Sequence, residues 1–168
     1  MADRALLVGV NTPVPRSTGA SDGRPVLYFG YGSNLNVPMM MGRVPHAKLL
    51  VPAFLPYHRV GFAGHSRHWG GGTATLIPAM SVVPGVLYLM TRDDLHELDR
   101  SENTPTGNHR HNEYVYGWDG TRYEAFMYRQ GSGTPVNPPD PRYLSTVIEG
   151  RRMHGFRYED ILREARRT

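Results

Sequence analysis

Val26-Leu27-Tyr28-Phe29-Gly30-Tyr31-Gly32-Ser33-Asn34-Leu35 divides into two halves. Val26 to Phe29 are four consecutive apolar or aromatic residues, which read as a buried strand. Gly30, Gly32, Ser33 and Asn34 then read as a tight loop. The two glycines permit positive φ and a close approach of backbone to a ligand. Ser33 and Asn34 add short polar groups, and successive loop N–H groups can form a concave nest for a carboxylate or an oxyanion. The expectation is an anion pocket at the end of the first strand. An ordinary turn after an edge strand is the competing reading, because glycine-rich turns are common.

Working outward, residues 1–24 are rich in Gly, Pro, Ser and Thr and read as a flexible N-terminal extension, with one domain over 25–168. Asn36 caps a short helix that runs through Gly42, with Pro38 in its first turn. Ala47–Leu55 and Tyr57–Ala63 read as strands interrupted by Pro52 and Pro56, where edges or bulges belong. His65–Gly72 is a loop, and Thr73–Ile77 a short strand. Val82–Met90 is another strand, with a bulge at Pro84-Gly85. Thr91-Arg92-Asp93-Asp94 resembles a capping box and starts a helix to Ser101. Arg110–Gly117 and Arg122–Arg129 form a hairpin through Asp119-Gly120. Asp140-Pro141 opens a helix over 141–153, stopped by Gly155, and Tyr158–Arg167 is a final helix. Strands, one mid-chain helix, more strands and a helical tail make a mixed α+β order, read as a small β-barrel flanked by helices.

The 168 residues suffice for a core without staples. The absence of cysteine excludes disulfides, thiolate metal sites and cysteine nucleophiles. No apolar run approaches the roughly 20 residues of a membrane span, and Ala5–Val10 is too short for a signal-peptide core, so a cytoplasmic protein is expected. The net charge is +4, and no Asp or Glu occurs between Asp22 and Asp93, an interval with five arginines and Lys48. That local positive field favours an anionic ligand. Nucleic acid is not expected, since the basic residues cluster no more densely than Arg151-Arg152 or Arg166-Arg167.

Leu95, Leu98 and Glu102 share one face of the mid-chain helix. The leucines face the core, so Glu102 is expected to point inward, away from Asp94, Glu97 and Asp99. Burial and the negative helix C-terminus both push such a carboxyl toward the range useful for general acid–base work. An ion pair with an arginine such as Arg110, or a frayed exposed end, accounts for the same pattern. The Gly30–Leu35 segment lacks the third glycine and the later acid of a dinucleotide fingerprint, and the second glycine of a serine-hydrolase elbow. His65-Ser66-Arg67-His68 and His109-Arg110-His111 come without a matching carboxylate, so no metal is expected.

Four stretches, in order, resemble the gamma-glutamylcyclotransferase-like superfamily, which includes the avirulence-induced-gene-like proteins. They are Tyr28–Leu35, then Trp69-Gly70-Gly71-Gly72-Thr73-Ala74-Thr75, then Gly85–Tyr88 with Leu98-Asp99-Arg100-Ser101-Glu102, and last Pro141–Leu144 through Gly155. The resemblance implies a barrel of the six-stranded type and makes Glu102 the catalytic acid–base residue. It implies substrate binding by Tyr31, Gly32, Ser33, Asn34, Leu35 and Tyr128. His109 stands where many members carry a tyrosine that contacts substrate, and Asn103 where a glycine usually follows the glutamate. The implied reaction converts a gamma-glutamyl amide to 5-oxoproline and a free amine, with no cofactor and a small-molecule partner. A non-catalytic binding module and a gamma-glutamyl hydrolase remain alternatives, and the oligomeric state is open.

Overall fold

The structure, a computed structural model, describes residues 24–102 and 107–167. The expected N-terminal extension lies outside the described residues except for Arg24, and so does Asn103. Strand β1 (Val26–Gly30) is buried along its whole length. Leu27 and Phe29 point into the barrel, while Val26 and Tyr28 face a second apolar cluster outside it. Both faces are therefore covered, which explains why this strand is a continuous apolar run rather than an alternating one. Full burial of side chains such as Leu27 and Phe29 contributes about 1.5–3 kcal/mol each.

Two long strands dominate the barrel: β2 (Lys48–Ala63) and β3 (Thr73–Met90). Each replaces two of the shorter strands expected from sequence. Pro52 and Pro56 do not break β2, because the register against β3 shifts between Leu49 and Pro52 and between Pro56 and His58. Tyr57, at the second shift, takes a φ of 62°. The bulges thus absorb residues that lack an N–H for the ladder. Pro84-Gly85 is not a bulge, since Phe54–Pro84 and Ala53–Gly85 pair in unbroken register. Gly85 is required by packing instead: a Cβ there would lie 2.4 Å from the Phe29 ring.

β4 (Asn108–Gly117) and β5 (Arg122–Gln130) form the expected hairpin. Gly120 supplies a φ of 82° at its turn, and the Asp119 carboxylate accepts from the Thr121 N–H at 3.0 Å. The strand order β1-β3-β2-β4-β5 closes into a barrel, with β5 returning parallel to β1 through Tyr28 and Phe126. The barrel has five strands among the described residues rather than the six that the resemblance implies.

The helices are α1 (Val37–Arg43), α2 (Arg92–Ser101), α3 (Pro141–Met153) and α4 (Glu159–Arg166). The Asn36 side chain caps α1 by accepting from Met39 N–H at 3.3 Å. Thr91 and Asp94 form the expected capping box on α2, at 3.2 and 2.9 Å. Asp140 caps α3 by accepting from Arg142 N–H at 2.8 Å. α3 packs on the segment that follows β1. A Cβ at Gly150 would lie 2.6 Å from Leu35 Cβ and 2.8 Å from Asn36 N. No described helix is long and apolar enough to cross a membrane.

Candidate active site

After β1 the chain passes through Tyr31 and Gly32 into a 3-10 turn, Ser33–Leu35, where the sequence pattern predicts only a tight loop. Neither Gly30 nor Gly32 uses the positive φ open to it. Gly32 supplies room: its φ is −108°, and a Cβ would sit 3.1 Å from Ala74 Cβ and 3.3 Å from the Tyr143 hydroxyl. That hydroxyl accepts from Ala74 N–H at 2.9 Å, tying α3 to β3 beneath the turn. Ser33 and Asn34 are buried and line a cavity of about 990 Å³. Leu35 does not line it. Its side chain is fully buried against α3, and its N–H is spent on Gly32 C=O at 3.1 Å.

Glu102 is the C-cap of α2, with Leu95 and Leu98 buried on the same helix face. It is half-buried, and among the described residues it is the one acidic side chain of the cavity wall. Its Oε1 accepts from Asn34 Nδ2 at 3.2 Å, and its Oε2 from Asn108 Nδ2 at 2.7 Å. Burial of the carboxyl pushes its pKa above the usual glutamate range. The Arg43 charge and the two amide hydrogen bonds pull the other way, and nearby Asp99 adds to the rise. Arg110 does not pair with Glu102. It pairs with Asp99 at 3.2 Å, and Asp99 also accepts from the Tyr128 hydroxyl at 2.6 Å. Asp99 is therefore closer to the site than its position on the helix suggests.

Tyrosines wall the cavity beside Glu102. The Tyr31 hydroxyl donates to Tyr128 C=O, and the Tyr28 hydroxyl accepts from Asn34 Nδ2 at 2.9 Å. Burial raises the pKa of Tyr28, Tyr31 and Tyr128, and pushes Tyr143 up to about 12. All four phenols stay protonated at neutral pH and present O–H groups rather than negative charge. On the outer side, the segment after β2 contributes His65, Arg67, His68 and Trp69.

The structure thus gathers Tyr31, Gly32, Ser33, Asn34, Glu102 and Tyr128 around one cavity. It leaves His109 out. That residue is exposed on β4 opposite Arg129, while its neighbour Asn108 faces Glu102. Successive strand residues point to opposite faces, so the neighbour occupies the place expected for His109. Arg43, Asn108, Tyr28 and Tyr143 were not singled out as site residues. Tyr28 and Tyr143 lay within recognised stretches; nothing in the spacing marks Arg43 or Asn108.

A model of the family described as "Gamma-glutamyl cyclotransferase, AIG2-like" matches residues 28–146, well over half the chain. The chain belongs to this family. It is 30% identical over 146 residues to the gamma-glutamylcyclotransferase of Bos taurus, covering 83% of this chain and 77% of that one. The Homo sapiens gamma-glutamylcyclotransferase is 29% identical over 139 residues, with 79% and 73% covered. A solved structure named gamma-glutamyl cyclotransferase superposes with a TM-score of 0.76 at 27% identity, over 81% of this chain and 83% of that one. The barrel with flanking helices is the fold of this cyclotransferase family, and the matched span runs from Tyr28 of β1 into the first turns of α3.

Proposed function

We propose that this protein is a gamma-glutamylcyclotransferase that converts a gamma-glutamyl amide to 5-oxoproline and a free amine, with Glu102 as general acid and base. The observation that carries this reading is the Glu102 carboxyl, held 3.2 Å from the amide of Asn34 on the glycine-containing turn and opening on the same cavity. A proton carrier and an anion-binding turn stand side by side.

In the reaction, the Glu102 carboxylate takes a proton from the substrate α-ammonium. The α-amine then attacks the γ-carbonyl of the same molecule, closing a five-membered ring through a tetrahedral oxyanion. Glu102 returns the first proton to the amide nitrogen, the C–N bond breaks as the oxyanion reforms the carbonyl, and the second proton of the ring nitrogen passes by way of Glu102 to the departing amine, which leaves as an ammonium. Nucleophile and electrophile already share one molecule, so the protein's main task is to hold the folded conformer. N–H groups at the head of the Ser33–Leu35 turn, which a helix start leaves without internal partners, and the Tyr28 phenol, which accepts from Asn34 and keeps its own proton, supply donors for substrate carboxylate and oxyanion.

A panel of gamma-glutamyl compounds, assayed for 5-oxoproline, tests the reading. Equal yields of 5-oxoproline and amine are expected. Ligand-induced stabilisation without any product would favour the binding-module alternative.

Two further outcomes are expected. First, Glu102 must be ionised to accept the proton, and its pKa is raised, so kcat climbs with pH through a range above that of an ordinary glutamate (about 4.3). A pH profile of kcat with its acid limb at the ordinary value would contradict this. Second, Gly32→Val fills the space under Ala74 and Tyr143 and pushes the turn out of place. Isothermal titration with a gamma-glutamyl ligand should then show affinity lowered about 10-fold or more, as a few kcal/mol of overpacking implies.

A further inference from the structure

Arg43 closes α1 with its guanidinium directed back toward the turn rather than out along the helix. Its Nη1 donates to Asn34 Oδ1 and, at 3.2 Å, to Ser33 Oγ. A guanidinium has donors only. The Asn34 atom that meets it must therefore be the amide oxygen, which leaves the NH2 group on the opposite side. There the NH2 donates to the Tyr28 hydroxyl at 2.9 Å and to Glu102 Oε1 at 3.2 Å. Nothing else bonded to Asn34 Nδ2 fixes this orientation. Tyr28 can accept or donate, and a carboxyl can do either according to its protonation. Asn108, the other amide on Glu102, has no comparable anchor among the described residues and can turn over when the carboxyl gains a proton.

We infer that Arg43 is a positioning residue of the reaction: it turns the Asn34 amide so that its N–H faces Glu102, and it supplies the counter-charge that keeps the carboxylate ready to accept a proton. The inference rests on Glu102 being the proton carrier. The groups around Glu102 are Tyr28 on β1, Asn108 on β4, Tyr128 on β5, Tyr143 on α3, Tyr31 beside the turn and Asp99 on its own helix, and the segment after β2 adds His65, Arg67 and His68 to the same cavity wall. Asp99 carries negative charge and opposes ionisation, although Arg110 pairs with it. The tyrosines are neutral. Among the described residues, Arg43 is the cation whose charge favours the carboxylate most.

Three variants separate orientation from charge. Arg43→Gln keeps a donor for Asn34 without the charge, Arg43→Lys keeps charge and donor, and Arg43→Met keeps neither. The titration of Glu102 is followed by carbon NMR on protein labelled at the glutamate carboxyls, with the resonance assigned by its loss in Glu102→Gln. This readout needs no turnover, so it stands even if no gamma-glutamyl compound is converted and the proposed activity fails. In Arg43→Gln and Arg43→Met the Glu102 titration should move up by about one pH unit or more, the range expected on losing a neighbouring opposite charge. Arg43→Lys should restore it. With an active wild type, the acid limb of kcat should move with the titration, and only Arg43→Met should also lose plateau kcat, by about 10-fold, through the freed Asn34 amide. An unmoved titration in folded Arg43→Gln would overturn the inference. So would an activity loss in Arg43→Met that is uniform across pH with the acid limb in place.

Discussion

Glu102→Gln should abolish 5-oxoproline release, by about 10²–10⁴-fold, while leaving the protein at least as stable as before. The loss follows from removing the proton acceptor. The stability follows from burial. The folded chain holds the Glu102 proton to higher pH than the unfolded chain does, because burial raises its pKa. Between the two values the native state binds more protons, so wild-type stability falls as pH rises through that window. Glutamine carries no such cost. Its amide can keep an oxygen toward the anchored Asn34 and turn its NH2 toward an Asn108 that flips to accept. Melting curves should therefore coincide at acid pH, where the wild-type carboxyl is neutral, and the variant should melt higher at neutral pH. A variant that is inactive because its melting curve has collapsed would point to a structural ion pair or hydrogen-bond anchor instead.

Gly150→Ala should damage catalysis from the far side of the turn. The added methyl would lie 2.6 Å from Leu35 Cβ and 2.8 Å from Asn36 N. The second neighbour is backbone, so relief requires α3 and the turn to separate. Overpacking of this kind costs about 1–3 kcal/mol. A displacement of about 1 Å at Ser33 and Asn34 is enough to cost about 100-fold in rate. The expected result is a lower melting temperature together with kcat/KM reduced 10- to 100-fold, an order-of-magnitude range set by that misplacement. Gly42→Ala is the control. It lies in α1 with nothing within 4 Å of its missing Cβ, and the substitution should stabilise the protein by about 0.5–1 kcal/mol. If Gly150→Ala melted and turned over like the wild type, the turn would not depend on α3 for its position.

The elements that were legible in the sequence are those specified by local chemistry. The buried run Val26–Phe29, the Thr91–Asp94 capping box, the Asp119-Gly120 turn and the Asp140-Pro141 start each carry their own hydrogen bonds or dihedral constraints, and each is where it was expected. Register shifts do fall at Pro52 and Pro56, where bulges are expected, but the strand runs on through them, because whether a proline ends a strand depends on the partner strand's ability to shift register. The inward placement of Glu102 could be read from helical spacing, since Leu95 and Leu98 fix which side of α2 is buried. Its partners could not. Asn34 and Asn108 reach the carboxyl from the turn and β4, and Arg43 on α1 holds Asn34 from behind; only the closed barrel brings them together. The same limit explains Leu35 and His109. One is turned inward by a 3-10 turn that pattern does not announce, and the other differs from its neighbour Asn108 by a single step of strand alternation.

The central claim is that the substrate's own amine, and not water, attacks the γ-carbonyl. Conversion of a gamma-glutamyl compound in water enriched in oxygen-18, read by product mass, tests it most directly. The account predicts 5-oxoproline of unshifted mass, matched mole for mole by free amine, and abolished in Glu102→Gln. Glutamate carrying one heavy oxygen, released at the rate of the amine, would contradict it.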